Sequence, residues 1–79
     1  MDMPKVIIYS TPNCVFCRMA KAFFDANNVK YEEKDVATDL PARQAMIEKT
    51  GQMGVPVIEV GNNIIIGFDK GKLTELLNL

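Results

Sequence analysis

The chain has 79 residues, 48% hydrophobic and 24% charged, with a formal net charge of −1. That length accommodates one hydrophobic core, so residues 1–79 are expected to form a single domain, and the composition is that of a folded globule. A near-neutral chain offers no basic stripe to nucleic acid or to a membrane surface, no run of about 18 apolar residues spans a bilayer, and with no histidine present catalysis by a serine–histidine or cysteine–histidine pair within the chain is excluded.

The N-terminus, Met1-Asp2-Met3-Pro4, lacks the basic and apolar regions of a secretion signal, which points to the cytoplasm. Lys5 to Tyr9 reads as a buried central strand, a short apolar run with β-branched residues. Pro12 breaks it, Asn13 is placed to cap a helix, and Cys14 falls in that helix's first turn. From Phe16 onward apolar residues recur at 16, 19, 20 and 23, one face of a 3.6-residue period. Arg18, Lys21 and Asp25 fall on other faces, and Asn27-Asn28 is a stop signal.

Lys30 to Val36 is weakly apolar and heavily charged, which suits an edge strand because charge there discourages pairing with another chain. Strand, helix and strand then form a βαβ unit with a right-handed crossover. Thr38 or Asp39 caps a second helix, with Pro41 in its tolerant first turn and Gly51 at its end. Val57–Val60 and Ile64–Ile66 flank Gly61-Asn62-Asn63 as a hairpin. Gly67-Phe68-Asp69 opens a last helix carrying Leu73, Leu76 and Leu77. The order β-α-β-α-β-β-α predicts an α/β fold in which helices cover both faces of a four-stranded mixed sheet.

The chain's only cysteines are Cys14 and Cys17, in Cys14-Val15-Phe16-Cys17 between a predicted strand and a predicted helix. That context reads as a redox pair, and the lack of a secretion signal fits a reducing compartment. The thiolate is the reactive form, and a free thiol with a pKa of about 8.5 is mostly protonated at neutral pH. A helix N-terminus favours negative charge by roughly 0.3–2 kcal/mol. At about 1.4 kcal/mol per unit, this lowers a thiol pKa by about one unit without a separate base. Cys14, nearer the exposed tip, is expected to attack a substrate disulfide, and Cys17 to resolve the mixed disulfide one helical turn later. Arg18 and Lys21 either add positive potential or simply face solvent. A zinc half-site would need two further ligands from another chain or from carboxylates, and a structural bridge across one turn closes almost no loop.

With these residues in view, the chain resembles the glutaredoxins over essentially its whole length. The resemblance rests on Tyr9-Ser10 leading to Cys14-Val15-Phe16-Cys17, Thr50-Gly51, Val55-Pro56 and Gly67-Phe68-Asp69, in this order and spacing. It implies a thioredoxin-like fold, a cis peptide before Pro56, and glutathione as co-substrate, with no metal required. By the same resemblance, the Val55 backbone pairs with the cysteinyl backbone of glutathione. The N–H groups at Phe68-Asp69 hold its γ-glutamyl carboxylate, Arg43 meets the glycyl carboxylate, and Phe16 packs on the tripeptide. Thr11 stands where many glutaredoxins have a basic residue. Val15 replaces the usual proline of the motif, Gly54 the usual threonine, and Lys70 the second acid that often meets the glutathione ammonium.

The expected activity is thus glutathione-dependent reduction of protein disulfides and glutathione mixed disulfides by a monomer. The resemblance leaves two alternatives. Phe68 after Gly67 is similar to redoxins that feed ribonucleotide reductase and are recharged by thioredoxin reductase. Some glutaredoxins instead carry an iron–sulfur cluster between two chains bridged by glutathione.

Overall fold

The computed structural model describes residues 4–79, so the reading of Met1-Asp2-Met3 as leaderless lies outside the described residues. Along them run β1 (Val6–Ser10), α1 (Val15–Ala26), β2 (Glu32–Asp35), α2 (Leu40–Thr50), β3 (Val57–Val60), β4 (Asn63–Ile66) and α3 (Lys70–Leu76). This is the expected order. The sheet runs β2-β1-β3-β4, with β1 parallel to β2 and antiparallel to β3, and β3 antiparallel to β4.

Strand periodicity explains how one sheet serves two cores. Val6 and Ile8 of β1 point to the same side as Ile58 and Val60 of β3 and Ile65 of β4. Ala20 and Phe24 of α1, with Leu73 of α3 and Leu77 just beyond it, close that side. Tyr9 and Val57 point the other way, where Ala42 and Met46 of α2 and Val36 cover them. A continuously apolar β1 is needed because it buries side chains on both sides. The charged β2 lies at the sheet edge, as expected.

Local signals set most boundaries. The Asp39 carboxylate caps α2 by accepting the Ala42 N–H at 3.0 Å, and Gly51 ends that helix with a left-handed φ of 70°. Asp69 caps α3 in the same way through the Lys72 N–H at 3.0 Å. Val60 pairs with Asn63, so the hairpin loop is the two residues Gly61-Asn62, and Asn63 belongs to the strand.

Two local expectations are corrected. Cys14, not Asn13, is the N-cap of α1: its backbone is extended and its sulfur accepts the Cys17 N–H at 3.1 Å. Asn13 is used up in the preceding turn, closed by the Cys14 N–H on the Thr11 carbonyl at 3.4 Å. The apolar face of α1 is also split. Cys17, Ala20 and Phe24, spaced i, i+3, i+7, are fully buried against the sheet, whereas Phe16 and Met19 are 59% and 46% exposed. Successive residues turn by about 100° around a helix, so Phe16 lies a quarter-turn off the row that meets the sheet.

Candidate active site

The strand register assembles the site. Val57 of β3 pairs with both Tyr9 of β1 and Ile66 of β4. One step further along the chain, Pro56 comes level with Gly67. The Gly67 N–H bonds the Pro56 carbonyl at 2.8 Å, which continues the ladder on that side. The segment leading to Cys14, the Val55-Pro56 turn and the opening of α3 therefore share one end of the sheet. The Val55–Pro56 peptide is cis. Val55 makes no backbone hydrogen bond among the described residues, which leaves its N–H and carbonyl free to meet an extended ligand.

Cys14 and Cys17 form a disulfide, with their Cα atoms 5.2 Å apart. Their surroundings differ sharply. Cys17 is completely buried in the first turn of α1, while Cys14 is half-buried at the helix tip between exposed Asn13 and Val15. The sulfur within hydrogen-bonding distance of a helix N–H is that of Cys14, so the helix end is aimed at the accessible sulfur. Arg18 braces the approach by donating to the Pro12 carbonyl at 3.2 Å. Lys21 is drawn away to Glu33, its Nζ 2.7 Å from the carboxylate, and Ser10 donates to the same oxygen at 2.8 Å. The Lys21 and then the Ser10 hydrogen bond hold the Glu33 carboxyl below its ordinary range. Lys21 is therefore a structural cation.

The remaining residues named from the sequence are placed in different ways. Thr11 supplies the carbonyl that closes the turn before Cys14. Phe16 is exposed beside the pair, and Asp69 is exposed while capping α3. Arg43 reaches across to Met53, Nη2 to Sδ 3.9 Å, in the loop that precedes Val55. The half-buried Phe68 ring, by contrast, leans on the core under α1 and packs edge-on against Phe23 at 5.9 Å.

Residues that sequence reasoning missed hold the loop before the cis peptide. The Gln52 side chain accepts the Gly54 N–H at 2.6 Å and donates to the Gly54 carbonyl at 3.1 Å. Thr50 Oγ1 bonds the Met46 and Gln52 carbonyls. A Cβ on Gly54 would stand 2.6 Å from Gln52 Oε1, so the glycine makes room for this amide clamp. A polar pair straddling a helix-stopping glycine was the available signal.

Under α2, Tyr9 donates to Glu59 at 2.5 Å and Lys49 Nζ lies 2.9 Å from the same oxygen. Burial pushes the Glu59 carboxyl up, but the hydrogen bonds from Tyr9 and Lys49 outweigh it and leave the group below its ordinary range. Burial and the Glu59 contact raise the Tyr9 hydroxyl. Among the described residues no group of three or more His, Cys, Asp or Glu side chains gathers as a metal site. The chemistry on offer is two-electron exchange between one accessible and one buried sulfur.

Comparison with known proteins agrees. The glutaredoxin family model matches residues 6–65. A glutaredoxin-like 8.6 kDa protein of the rubredoxin operon in Clostridium pasteurianum is 39% identical over 70 residues, covering 89% of this chain and 93% of its own. The crystal structure of a thioredoxin-like protein superposes with a TM-score of 0.87 at 34% identity, over 92% of this chain and all of the other. A buckwheat glutaredoxin in complex with glutathione superposes with a TM-score of 0.77 at 25% identity, over 95% of this chain and 77% of that one. The chain belongs to the glutaredoxin family and is a thiol–disulfide oxidoreductase built on the thioredoxin fold.

Proposed function

We propose that this protein is a dithiol glutaredoxin, reducing protein disulfides and glutathione mixed disulfides in the reducing cytoplasm with glutathione as its electron source. The observation that carries the reading is the asymmetry of the cysteine pair, accessible Cys14 against buried Cys17. In the reduced protein the Cys14 thiolate attacks a substrate sulfur and forms a mixed disulfide, expelling the other half as a thiol. Cys17 then attacks Cys14 and releases the second thiol, which leaves the protein oxidised. Two electrons pass from the protein to the substrate.

Glutathione fits the residues at the sheet end. The unpaired Val55 backbone suits an extended tripeptide, and the similarity to the glutathione-bound buckwheat protein supports that placement. The backbone N–H groups at Phe68-Asp69, the Arg43 guanidinium beside Met53, and the exposed face of Phe16 complete the contacts, with Thr11 at the entrance. One observation favours a second reading. Lys70 opens α3 next to Asp69, and a cation there repels the glutathione ammonium. A redoxin recharged by thioredoxin reductase has no need of that subsite.

Paired turnover assays decide between them, each with NADPH and a small disulfide, one with glutathione and glutathione reductase and the other with thioredoxin reductase. Turnover with glutathione supports the first reading, and turnover only with thioredoxin reductase replaces it with the second. Cys14→Ser is expected to abolish exchange in both assays. Cys17→Ser is expected to lose protein-disulfide reduction and to retain deglutathionylation, which needs only Cys14. Equal loss in both variants would contradict the assigned roles.

A further inference from the structure

The stripe that the sheet does not bury, Phe16, Met19, Phe23 and Ala26, runs down α1 at helical spacing from the cysteine pair. Ten residues at 1.5 Å rise make it about 15 Å long, the reach of four or five residues of extended chain. Its far part forms one wall of an open groove of about 640 Å³ between α1 and the α3 region, lined by Met19, Ala22, Phe23, Ala26, Phe68 and Lys70 among others. The small side chains Ala22 and Ala26, one turn apart on α1, keep the groove open. Near the pair the stripe stays exposed, and Val15, Phe16 and Met19 are 62%, 59% and 46% accessible.

Lys70 supplies the single ionisable side chain on the groove walls. It enters no ion pair among the described residues, and its Nζ lies 6.0 Å from the centre of the Phe23 ring. By contrast, Lys21, on the opposite flank of α1, is held by Glu33. The groove thus presents an apolar floor and one cation with no ion-pair partner among the described residues, and the exposed stripe of Met19 and Phe16 leads from it toward the cysteine pair. Glutathione is too short to follow it.

We infer that this groove docks the protein substrate, as an extended segment flanking the target cysteine with apolar side chains and one carboxylate set against Lys70. Phe23 lies seven residues from Phe16 on the helix, so the carboxylate belongs about three positions from the substrate cysteine. The same lysine that disfavours the glutathione ammonium then selects acidic protein partners. The inference rests on the proposed reduction of protein disulfides by Cys14 and Cys17.

Its test is single-turnover reaction of the reduced protein with two synthetic peptides, each carrying one cysteine in mixed disulfide with thionitrobenzoate. One has leucines beside the cysteine and an aspartate three positions away, and the other has glycine and serine throughout. The apolar, acidic peptide is expected to react about tenfold faster at low concentration, the discrimination that apolar pocket contacts provide. Ala22→Phe, which fills the groove from an exposed position, is expected to remove that advantage. Lys70→Glu is expected to lower it about two- to fivefold, as for loss of one exposed charge pair. Neither variant is expected to change the reaction with bis(2-hydroxyethyl) disulfide, a small uncharged disulfide that makes no use of the groove. Equal rates for both peptides in the unaltered protein, or an advantage that survives both variants, would overturn the inference. A dimer of the protein alone that dissociates on Ala22→Phe would assign the groove to a second copy and overturn it too. Failure with the small disulfide itself would instead strike the underlying reading of the cysteine pair.

Discussion

The two sides of the sheet are built from different kinds of interaction. Beneath α1 and α3 the packing is almost wholly apolar, with Phe24, Ile8, Ile58 and Leu73 completely buried. Tyr31 packs against it, and burial, followed by the nearby Asp25 and Glu33 charges, keeps its hydroxyl protonated to still higher pH than usual. Beneath α2 a smaller apolar cluster is completed by the Tyr9–Glu59–Lys49 hydrogen bonds. The helix that carries the redox pair is therefore anchored mainly by apolar packing, and the Tyr9–Glu59–Lys49 cluster of ionisable groups lies on the side away from it.

The contrast can be broken by mutation, beginning with the largest effect. Phe24→Ala removes a fully buried ring from the α1 side and is expected to cost about 3–5 kcal/mol of stability by urea denaturation, enough to threaten folding of so short a chain. Met46→Ala, the corresponding loss under α2, is expected to cost about 2–3 kcal/mol because the smaller cluster around it can collapse more readily. A cost equal to that of Phe24→Ala would erase the distinction between the sides.

Glu59→Gln sharpens the contrast. At neutral pH the change is expected to cost about 1 kcal/mol, through loss of a charge-assisted pair with a lysine that is itself partly exposed. The folded-state carboxyl lies below its unfolded value, so its contribution is present above the ordinary carboxylate pKa and disappears as pH falls through the depressed one. The parent and variant stabilities should therefore converge in acid, with thiol–disulfide exchange unchanged at pH 7. Smallest of all, Ile66→Thr alters an exposed side chain on β4 and is expected to shift stability by no more than about 0.5 kcal/mol. A larger loss would mean that this stretch of sheet is covered after all.

Elements whose signals are local were legible in the sequence. Asp39 and Asp69 cap helices, Gly51 ends one, and the strand–turn–helix around Cys14 announces its chemistry, because in each case the physics lies within a few residues. The resemblance to glutaredoxins supplied Val55 and Pro56, which no periodicity would single out. What stayed hidden depends on distance. Phe16, Met19 and Phe24 are all apolar, so the pattern revealed a stripe on α1 but not which part of it the sheet would cover. Tyr9, Lys49 and Glu59 come from three elements, and nothing in the order of residues joins them. The Cys14 cap was missed because cysteine is not among the usual capping residues, while Asn13 beside it is.

That cap ties the redox state to the secondary structure. A thiolate on Cys14 accepts the Cys17 N–H as a full negative charge, whereas the same sulfur in a disulfide is a weak acceptor. In a thermodynamic cycle, the free energy by which the helix end prefers the thiolate appears twice with equal size. It raises the reduction potential of the pair by about 30 mV for each 1.4 kcal/mol, and it stabilises the folded start of α1 in the reduced protein by the same amount. Electron transfer to a substrate therefore exchanges a charge-assisted hydrogen bond at the start of the helix for a covalent bridge across the same turn.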